Sequence, residues 1–191
     1  VTGVQTCALP IFAAAGVAAV HLEDQVPAKL CGHLSGKQLV PAAEMAERVR
    51  AAVYGKPDRD FVVMARTDAA AGEGVDAAIE RACMYVAAGT DAIFAEAITK
   101  LDDYKKFTAT LKVPVLANLT EFGKTPLFTL EELRATGIAM ALYPLGASRA
   151  AAAASLEVYS AIRQSGTQQS VLGKMQTRAD LYATLGYEPP R

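Results

Sequence analysis

A short stretch, residues 21–33, carries the side chains best suited to chemistry. Its sequence, HLEDQVPAKLCGH, contains both histidines of the chain, one of its three cysteines and an adjacent Glu-Asp pair. Lys29 and His33 lie two residues to either side of Cys31. A thiol beside cationic groups exchanges protons readily near neutral pH. We therefore predict a polar loop in which Cys31 transfers a proton and Lys29 and His33 tune its thiol.

The elements that must position this loop alternate between two periodicities. Short, uniformly apolar runs indicate buried parallel strands, namely GVAAVHLED, FVVMARTD, AIFAEA, VPVLANLTE and AMALYPLG. Helical patterns separate them, namely PAAEMAERVRAAVYG, VDAAIERACMYVAAG, LDDYKKFTATLK and TLEELRATG. Two more helices are predicted after the last strand, SRAAAAASLEVYSAIRQSG and QQSVLGKMQTRADLYATLGY. The order predicts an α/β fold with a parallel sheet.

The strand ends favour a (β/α)8 barrel, the TIM barrel, over an open doubly wound sheet. No glycine-rich phosphate loop follows any predicted strand. Several strands end instead in reactive polar residues, and a barrel gathers such ends at one mouth. A full barrel needs eight strands. We therefore predict a partial barrel made of about the last five βα units, with about three units missing before them.

Polar residues at these strand ends are predicted to bind a substrate. Arg66 ends a buried strand, where an unpaired guanidinium is costly, so it should grip a substrate carboxylate or a neighbouring acid. Glu96 is either an ion-pair partner of Arg66 or a contact to substrate and metal shell. Asn118 and Thr120, two apart in a predicted strand, would share a face and bind one carboxylate. His21, inside a strand, is predicted to be a core residue.

Composition and charge exclude several classes of partner. A net charge of -1, with basic residues scattered among acidic ones, provides no footprint for nucleic acid or for a membrane surface. Three distant cysteines are too few for a disulfide framework or a zinc ribbon, which favours a reducing, cytoplasmic location. Cys83 lies in a predicted helix and is interpreted as a structural residue.

The first twelve residues, VTGVQTCALPIF, are interpreted separately from the fold. No Lys or Arg precedes Lys29, so the positively charged start of a secretory signal is absent from this sequence. The string resembles the in-frame translation of a common sequencing-library adapter. Residues 1–12 are therefore predicted to be a non-native leader, in which Cys7 has no function. Residues 13–191 would form the C-terminal part of a single TIM-barrel catalytic domain.

Several motifs together resemble the isocitrate lyase and phosphoenolpyruvate mutase superfamily, over about residues 14–187. They are HLEDQ, KLCGH, MARTDA, FAEAI, NLTEFGKTPLF, MALYPLGASRA and MQTR. The K-x-CGH signature is typical of the lyase branch, and TEFGKTPLF with ALYPL is similar to the members that act on methylisocitrate. The resemblance implies cleavage of 2-methylisocitrate to pyruvate and succinate by a homotetramer, in propionate breakdown by the methylcitrate cycle.

The resemblance also implies a bound cation and further substrate contacts, which the residue types and their spacing do not indicate by themselves. A divalent cation, Mg2+ with Mn2+ as the alternative, would bind the hydroxycarboxylate end of the substrate and stabilise the pyruvate side. Glu23 would reach this cation through water, whereas the aspartates that bind it directly are missing from the sequence. The substrate contacts implied in addition to Arg66, Asn118 and Thr120 are Cys31, Gly32, Glu96, Arg149 and Arg178.

Two other functions stay open at this point. Another oxo-acid lyase of the superfamily, such as isocitrate lyase, would keep the barrel and the cation and change the substrate pocket. A non-catalytic binding or assembly subunit would account for the missing aspartates. The 191 residues alone are expected to be inactive as a lyase, because an incomplete barrel leaves open sheet edges and lacks direct cation ligands.

Overall fold

The computed structural model describes residues 2–34 and 36–188, with side chains from residue 8 onward. The chain divides into two compact units, one that ends at Pro144 and one that begins at Leu145. The first unit contains the sheet and the helices that cover it. Across the described ranges, no helix is long and apolar enough to cross a membrane.

Within the described residues of the first unit, five strands form one parallel sheet. They are β1 (Ala19–Glu23), β2 (Val62–Thr67), β3 (Ala92–Ala95), β4 (Val115–Asn118) and β5 (Met140–Leu142). Each strand pairs with the next one along the chain. An open doubly wound sheet reverses its strand order near the middle, whereas a barrel keeps the order sequential. The prediction of a partial (β/α)8 barrel is therefore confirmed.

Helices connect the strands close to where the sequence predicted them. They are α2 (Ala42–Tyr54), α3 (Val75–Ala87), α4 (Leu101–Thr110) and α5 (Leu130–Ala135). In α5 a capping box starts the helix, because Thr129 accepts from the Glu132 N–H and the Glu132 carboxylate accepts from the Thr129 N–H. The apolar stripe of each helix packs against the sheet, and the largest buried members are Met45, Tyr85, Tyr104, Phe107 and Leu133.

The strands divide their side chains between two faces, as the period of two requires. In β2, Val63 and Ala65 are buried beneath the helices, while Met64 and Arg66 are half-buried on the other face. His21 lies on an exposed position of β1 and its ring contacts Phe94, with centroids 5.7 Å apart. The prediction that His21 is a core residue is wrong, because the register of β1 turns Val20 and Leu22, not His21, toward the helices.

The N-terminal segment forms helix α1 (Thr2–Ala14), which belongs to the first unit and contacts α2. Leu9 is buried with Ala52, Phe61 and Val63 in a small apolar cluster. The interpretation of residues 1–12 as a non-native leader stays a prediction. The prediction that Cys7 has no function concerns a side chain that lies outside those the structure describes.

The second unit contains two α-helices and a 3-10 helix within its described part. Helix α6 spans Gly146–Ser165 and ends at Gly166, which adopts the left-handed conformation. One helix was predicted over QQSVLGKMQTRADLYATLGY, but the structure has a 3-10 helix at Gln169–Lys174 and a separate helix α7 (Arg178–Leu185). The single-helix prediction is wrong because Thr177 starts a new helix: its hydroxyl accepts from the Asp180 N–H in a capping box.

A buried polar network supports the carboxyl ends of β1 and β2. Asp24 is fully buried; its Oδ1 accepts a hydrogen bond from the Asp68 N–H at 2.9 Å, and its Oδ2 accepts one from the Tyr85 hydroxyl at 2.9 Å. Burial raises the pKa of the Asp24 carboxyl above its usual value and raises that of Tyr85 well above its own. Helix α3 thereby holds the turn that follows β2.

We expect Tyr85→Phe to lower the free energy of unfolding by about 1–3 kcal/mol, because the buried Asp24 oxygen loses its donor. Tyr104→Phe is the matched control. Tyr104 is equally buried, but its hydroxyl has no hydrogen-bond partner among the described residues, so its removal should cost little. Urea unfolding of both variants measures the difference, and equal losses would contradict a specific role for the Tyr85 hydroxyl.

Candidate active site

Polar side chains from four adjacent strands meet at the carboxyl edge of the sheet. Glu23 ends β1, Arg66 lies next to the end of β2, Glu96 follows β3 and Asn118 ends β4. Glu23 and Arg66 are directly paired in the parallel register. Parallel strands deliver their carboxyl ends to one edge, so residues distant in sequence become neighbours. The structure thus brings these side chains together at one edge of the sheet, as predicted.

The Arg66 guanidinium is the centre of this cluster. Its Nε and Nη2 donate to the Asp68 carboxylate at 2.9 and 3.0 Å, and Nη2 lies 2.9 Å from Glu96 Oε2. Glu23 Oε2 is 3.5 Å from Nε, and the Phe94 ring centroid is 4.8 Å from Cζ. Only 12% of the Arg66 side chain is exposed. Neighbouring acids, the second of the two predicted roles, therefore compensate its charge here.

Asp68 and Lys37 are site residues that sequence reasoning did not assign. Burial alone would raise the pKa of the Asp68 carboxyl, but the hydrogen bonds and charge of Arg66 outweigh it and hold that pKa below its usual value. Lys37 Nζ lies 3.5 Å from Asp68 Oδ1. The available signal was weak: Asp68 is a polar residue directly after the last residue of β2.

The Glu96 carboxylate contacts three other side chains of the site. Besides Arg66, its carboxylate lies 3.3 Å from His33 Nε2 and accepts from Asn118 Nδ2 at 3.4 and 3.5 Å. The next residue, Ala97, is buried with φ at 57°, a left-handed conformation that is costly for a residue with a Cβ. Such strain tends to occur where a site requires one backbone geometry. The predicted substrate or metal-shell contact of Glu96 stays a prediction.

Cys31 lies on a loop that leaves the sheet after β1 and returns before α2. The loop closes at its base, where Gln25 forms an antiparallel bridge with Leu39. The Gln25 side chain spans the first half, because its amide donates to the Leu30 carbonyl and accepts from the Leu30 N–H. Cys31 is an exposed free thiol. This loop is called the Cys31 loop below, and its described residues are 25–34 and 36–39.

The two predicted partners of the thiol make other contacts in this arrangement. Lys29 Nζ lies 2.7 Å from Glu23 Oε1. His33 Nδ1 accepts from the Lys124 N–H at 3.0 Å, and its Nε2 faces Glu96. Their tuning of Cys31 stays a prediction, while their observed role is to connect the Cys31 loop to the strand ends.

Gly32 brings the backbone of the Cys31 loop against the charged cluster. A Cβ at this position would stand 2.5 Å from Arg66 Nη2 and 2.6 Å from two Glu96 carbons. Real side chains do not approach so closely, so glycine is required for this contact. The residue next to the thiol therefore touches the Arg66–Glu96 ion pair directly.

Three buried polar atoms of the cluster have no well-formed hydrogen bond among the described residues: Glu23 Oε2, His33 Nε2 and Asn118 Oδ1. Buried polar groups are rarely left in this state unless they meet a ligand, water or ion. The described part of the chain contains no group of three His, Cys, Asp or Glu side chains able to hold a metal. Glu23 thus fits a water-mediated contact to a cation, but these residues do not form a direct metal site.

The other residues predicted to contact substrate lie partly outside this cluster. Asn118 ends β4, and Thr120 lies beyond it, so the premise that both belong to one strand is wrong; β4 stops at Asn118. Both are buried. Arg149 in α6 and Arg178 in α7 are exposed residues of the second unit. Substrate binding by Thr120, Arg149 and Arg178 stays a prediction.

Among known proteins, the chain is similar to enzymes named 2-methylisocitrate lyase. It is 57% identical to the Escherichia coli K12 protein over 173 residues, which cover 91% of this chain and 58% of that protein. The Shewanella oneidensis protein is also 57% identical, over 92% of this chain and 60% of its own length. The chain therefore spans about three fifths of the curated relatives it matches.

Solved structures show the same fold. An oxaloacetate acetylhydrolase in complex with 3,3-difluorooxalacetate is 34% identical, with a TM-score of 0.86 over 97% of this chain and 63% of the other. A 2,3-dimethylmalate lyase, described as a PEP mutase/isocitrate lyase superfamily member, is 33% identical, with a TM-score of 0.84 over 95% of this chain and 60% of the other.

A family model also matches most of the chain. The sequence model of phosphoenolpyruvate phosphomutase matches residues 8–163, which include every strand of the described sheet. The chain belongs to the phosphoenolpyruvate phosphomutase family.

Proposed function

We propose that the whole protein containing this chain is a lyase that cleaves 2-methylisocitrate to pyruvate and succinate, in propionate breakdown by the methylcitrate cycle. The observation that supports the proposal is the contact of Gly32, the residue next to the free thiol of Cys31, with the Arg66–Glu96 ion pair. The names of relatives at 57% identity support the substrate.

The proposed reaction breaks the bond between the hydroxylated carbon and the carbon that bears the succinate-side carboxylate. The hydroxyl gives its proton to a general base and becomes the ketone of pyruvate, while the bonding electrons stay on the succinate carbon. Cys31 donates its thiol proton to that carbon. Arg66 grips a carboxylate in place of one of its present acid partners. Carboxylate binding also involves Gly32, Asn118 and Thr120, with Arg149 and Arg178 as further contacts.

A divalent cation, Mg2+ or Mn2+, would stabilise the pyruvate side as a Lewis acid. A phosphonopyruvate hydrolase of the same fold, 29% identical to this chain, was solved with oxalate and Mg++. The described residues offer only Glu23 for a water-mediated contact, so we propose that the direct ligands come from other parts of the whole protein. We therefore expect the 191 residues alone to be inactive.

We also propose a cytoplasmic homotetramer that binds neither nucleic acid nor membranes. The net charge of -1, with basic residues scattered among acidic ones along the sequence, supports this proposal. Cys31 and Cys83 are free thiols, as expected in a reducing compartment. Light scattering of the whole protein would measure the oligomer.

The decisive experiment offers the purified whole protein 2-methylisocitrate and isocitrate separately, with Mg2+. Release of pyruvate and succinate at a higher kcat/KM than the cleavage of isocitrate supports the proposal. Faster cleavage of isocitrate indicates the second lyase activity of the superfamily instead. Absence of cleavage with either substrate would favour a non-catalytic subunit.

Cys31→Ser should lower turnover by roughly three orders of magnitude or more, because a hydroxyl is a far weaker acid than a thiol and acid catalysis is worth roughly 10²–10⁴. Substrate affinity should change little. Cys83→Ser, which replaces an exposed thiol in α3, is the control and should keep full activity. Steady-state kinetics measures both, and turnover of Cys31→Ser within tenfold of wild type would exclude the proposed role.

Arg66→Lys should weaken the binding of a succinate-like or pyruvate-like inhibitor by about tenfold or more, because an ammonium cannot form a planar two-point contact with a carboxylate. Arg50→Lys, on the exposed face of α2, is the control. Titration calorimetry gives both affinities. Unchanged affinity in Arg66→Lys would leave Arg66 a purely structural residue.

Gly32→Ala should also reduce inhibitor affinity, by an amount equivalent to about 1–3 kcal/mol, because the new Cβ must push Arg66 and Glu96 apart. Gly72→Ala is the matched control, since a Cβ there meets no atom within 4 Å and its φ is negative. The same titration tests both variants. Equal affinities would mean that the loop does not contact the ion pair in solution.

A further inference from the structure

Lys37 has no place in the reaction described above, although it lies on the Cys31 loop. Its side chain is only 6% exposed. Its Nζ donates a hydrogen bond to the Gly32 carbonyl and lies 3.5 Å from Asp68 Oδ1. Burial of an ammonium is costly unless it is paired, so these two contacts compensate the desolvation of Lys37.

The two partners of Lys37 belong to different parts of the site. Asp68 is held by the sheet side, because its carboxylate binds Arg66 and its N–H donates to Asp24. Gly32 belongs to the Cys31 loop and touches the Arg66–Glu96 ion pair. Lys37 therefore joins the peptide next to the thiol to the carboxylate that already holds the guanidinium.

Gly32 needs such an anchor for a conformational reason. Any side chain at this position would displace Arg66 and Glu96, yet glycine has more backbone freedom than any other residue. A hydrogen bond to its carbonyl fixes the plane of the peptide between Gly32 and His33. The contacts of Gln25 at the start of the loop reach only as far as Leu30.

We propose that Lys37 is a positioning residue: it holds the Gly32 peptide, and with it Cys31 and His33, against the Arg66–Glu96 pair through its shared contact with Asp68. The catalytic consequence rests on the proposed function, whereas the positioning itself does not. Lys37 acts through its contacts with the Gly32 carbonyl and with Asp68.

Hydrogen exchange of single amides tests the positioning without any substrate. The Leu34 N–H donates to the Cys31 carbonyl, beyond the anchored peptide, and the Leu30 N–H is held by Gln25. In Lys37→Met the Leu34 amide should exchange about tenfold faster, as expected for the loss of one charged hydrogen bond. The Leu30 amide should change much less. Lys37→Arg, which keeps a charged donor, should restore slow exchange at Leu34.

Lys56→Met is the matched control. Lys56 is also a poorly exposed cation, at 12%, and its Nζ binds both oxygens of Asp91 at 3.0 and 3.1 Å. Its loss should leave the Leu34 amide unchanged. If Lys37→Met does not fold, Lys37→Gln replaces it, because a shorter neutral side chain also loses the contact. Equal Leu34 exchange in wild type and the Lys37 variant, or equal acceleration by Lys56→Met, would overturn the proposal.

A second measurement separates this inference from the proposed function. In the whole protein, Lys37→Met should lower kcat on 2-methylisocitrate by roughly ten- to hundredfold with little change in KM, because a misplaced acid slows the chemical step. Lys37→Arg should recover most of kcat. If wild type does not cleave the substrate, the proposed function fails while the exchange result still decides the role of Lys37. An unchanged kcat with accelerated Leu34 exchange would remove the catalytic part of the proposal.

Discussion

The arrangement of the site depends on compensation of the charge of one buried guanidinium. Arg66 is nearly inaccessible to water, and an uncompensated charge in that position would cost several kcal/mol. Within the described residues, the cluster contains as many carboxylates as amine or guanidinium cations. The acids are Glu23, Asp68 and Glu96, and the cations are Arg66, Lys29 and Lys37. Because these charges balance, the described residues of the cluster hold Arg66 without leaving a net positive charge.

The sequence was sufficient to predict the fold and several of the polar residues at the strand ends. Buried parallel strands are uniformly apolar until they reach the edge of the sheet, so a polar residue at the end of such a run indicates a position at the barrel mouth. Arg66, Glu96 and Asn118 were found in this way. The sequential strand order then followed from the choice of a barrel, in which strands that are consecutive along the chain lie side by side.

Contacts that depend on loop path were not predictable from local pattern. Lys37 reaches Asp68 only because the Cys31 loop folds back on itself through the Gln25–Leu39 bridge, and nothing near residue 37 in the sequence indicates that return. The break between the 3-10 helix at Gln169–Lys174 and helix α7 was missed for a different reason. Thr177 caps a helix through Asp180, yet the same residues fit the polar face of a continuous helix equally well.

The tripeptide Arg66-Thr67-Asp68 places constraints on how this region can change during evolution. Its outer members bind each other on one side, while Thr67 between them is buried on the opposite side. Gain or loss of a single residue here would exchange the two sides, burying a charge in the core and exposing a core residue. Point substitutions elsewhere in the loops can accumulate gradually, but the length of this segment cannot drift. A family with this design should therefore diversify by replacing residues around the tripeptide while keeping its length constant.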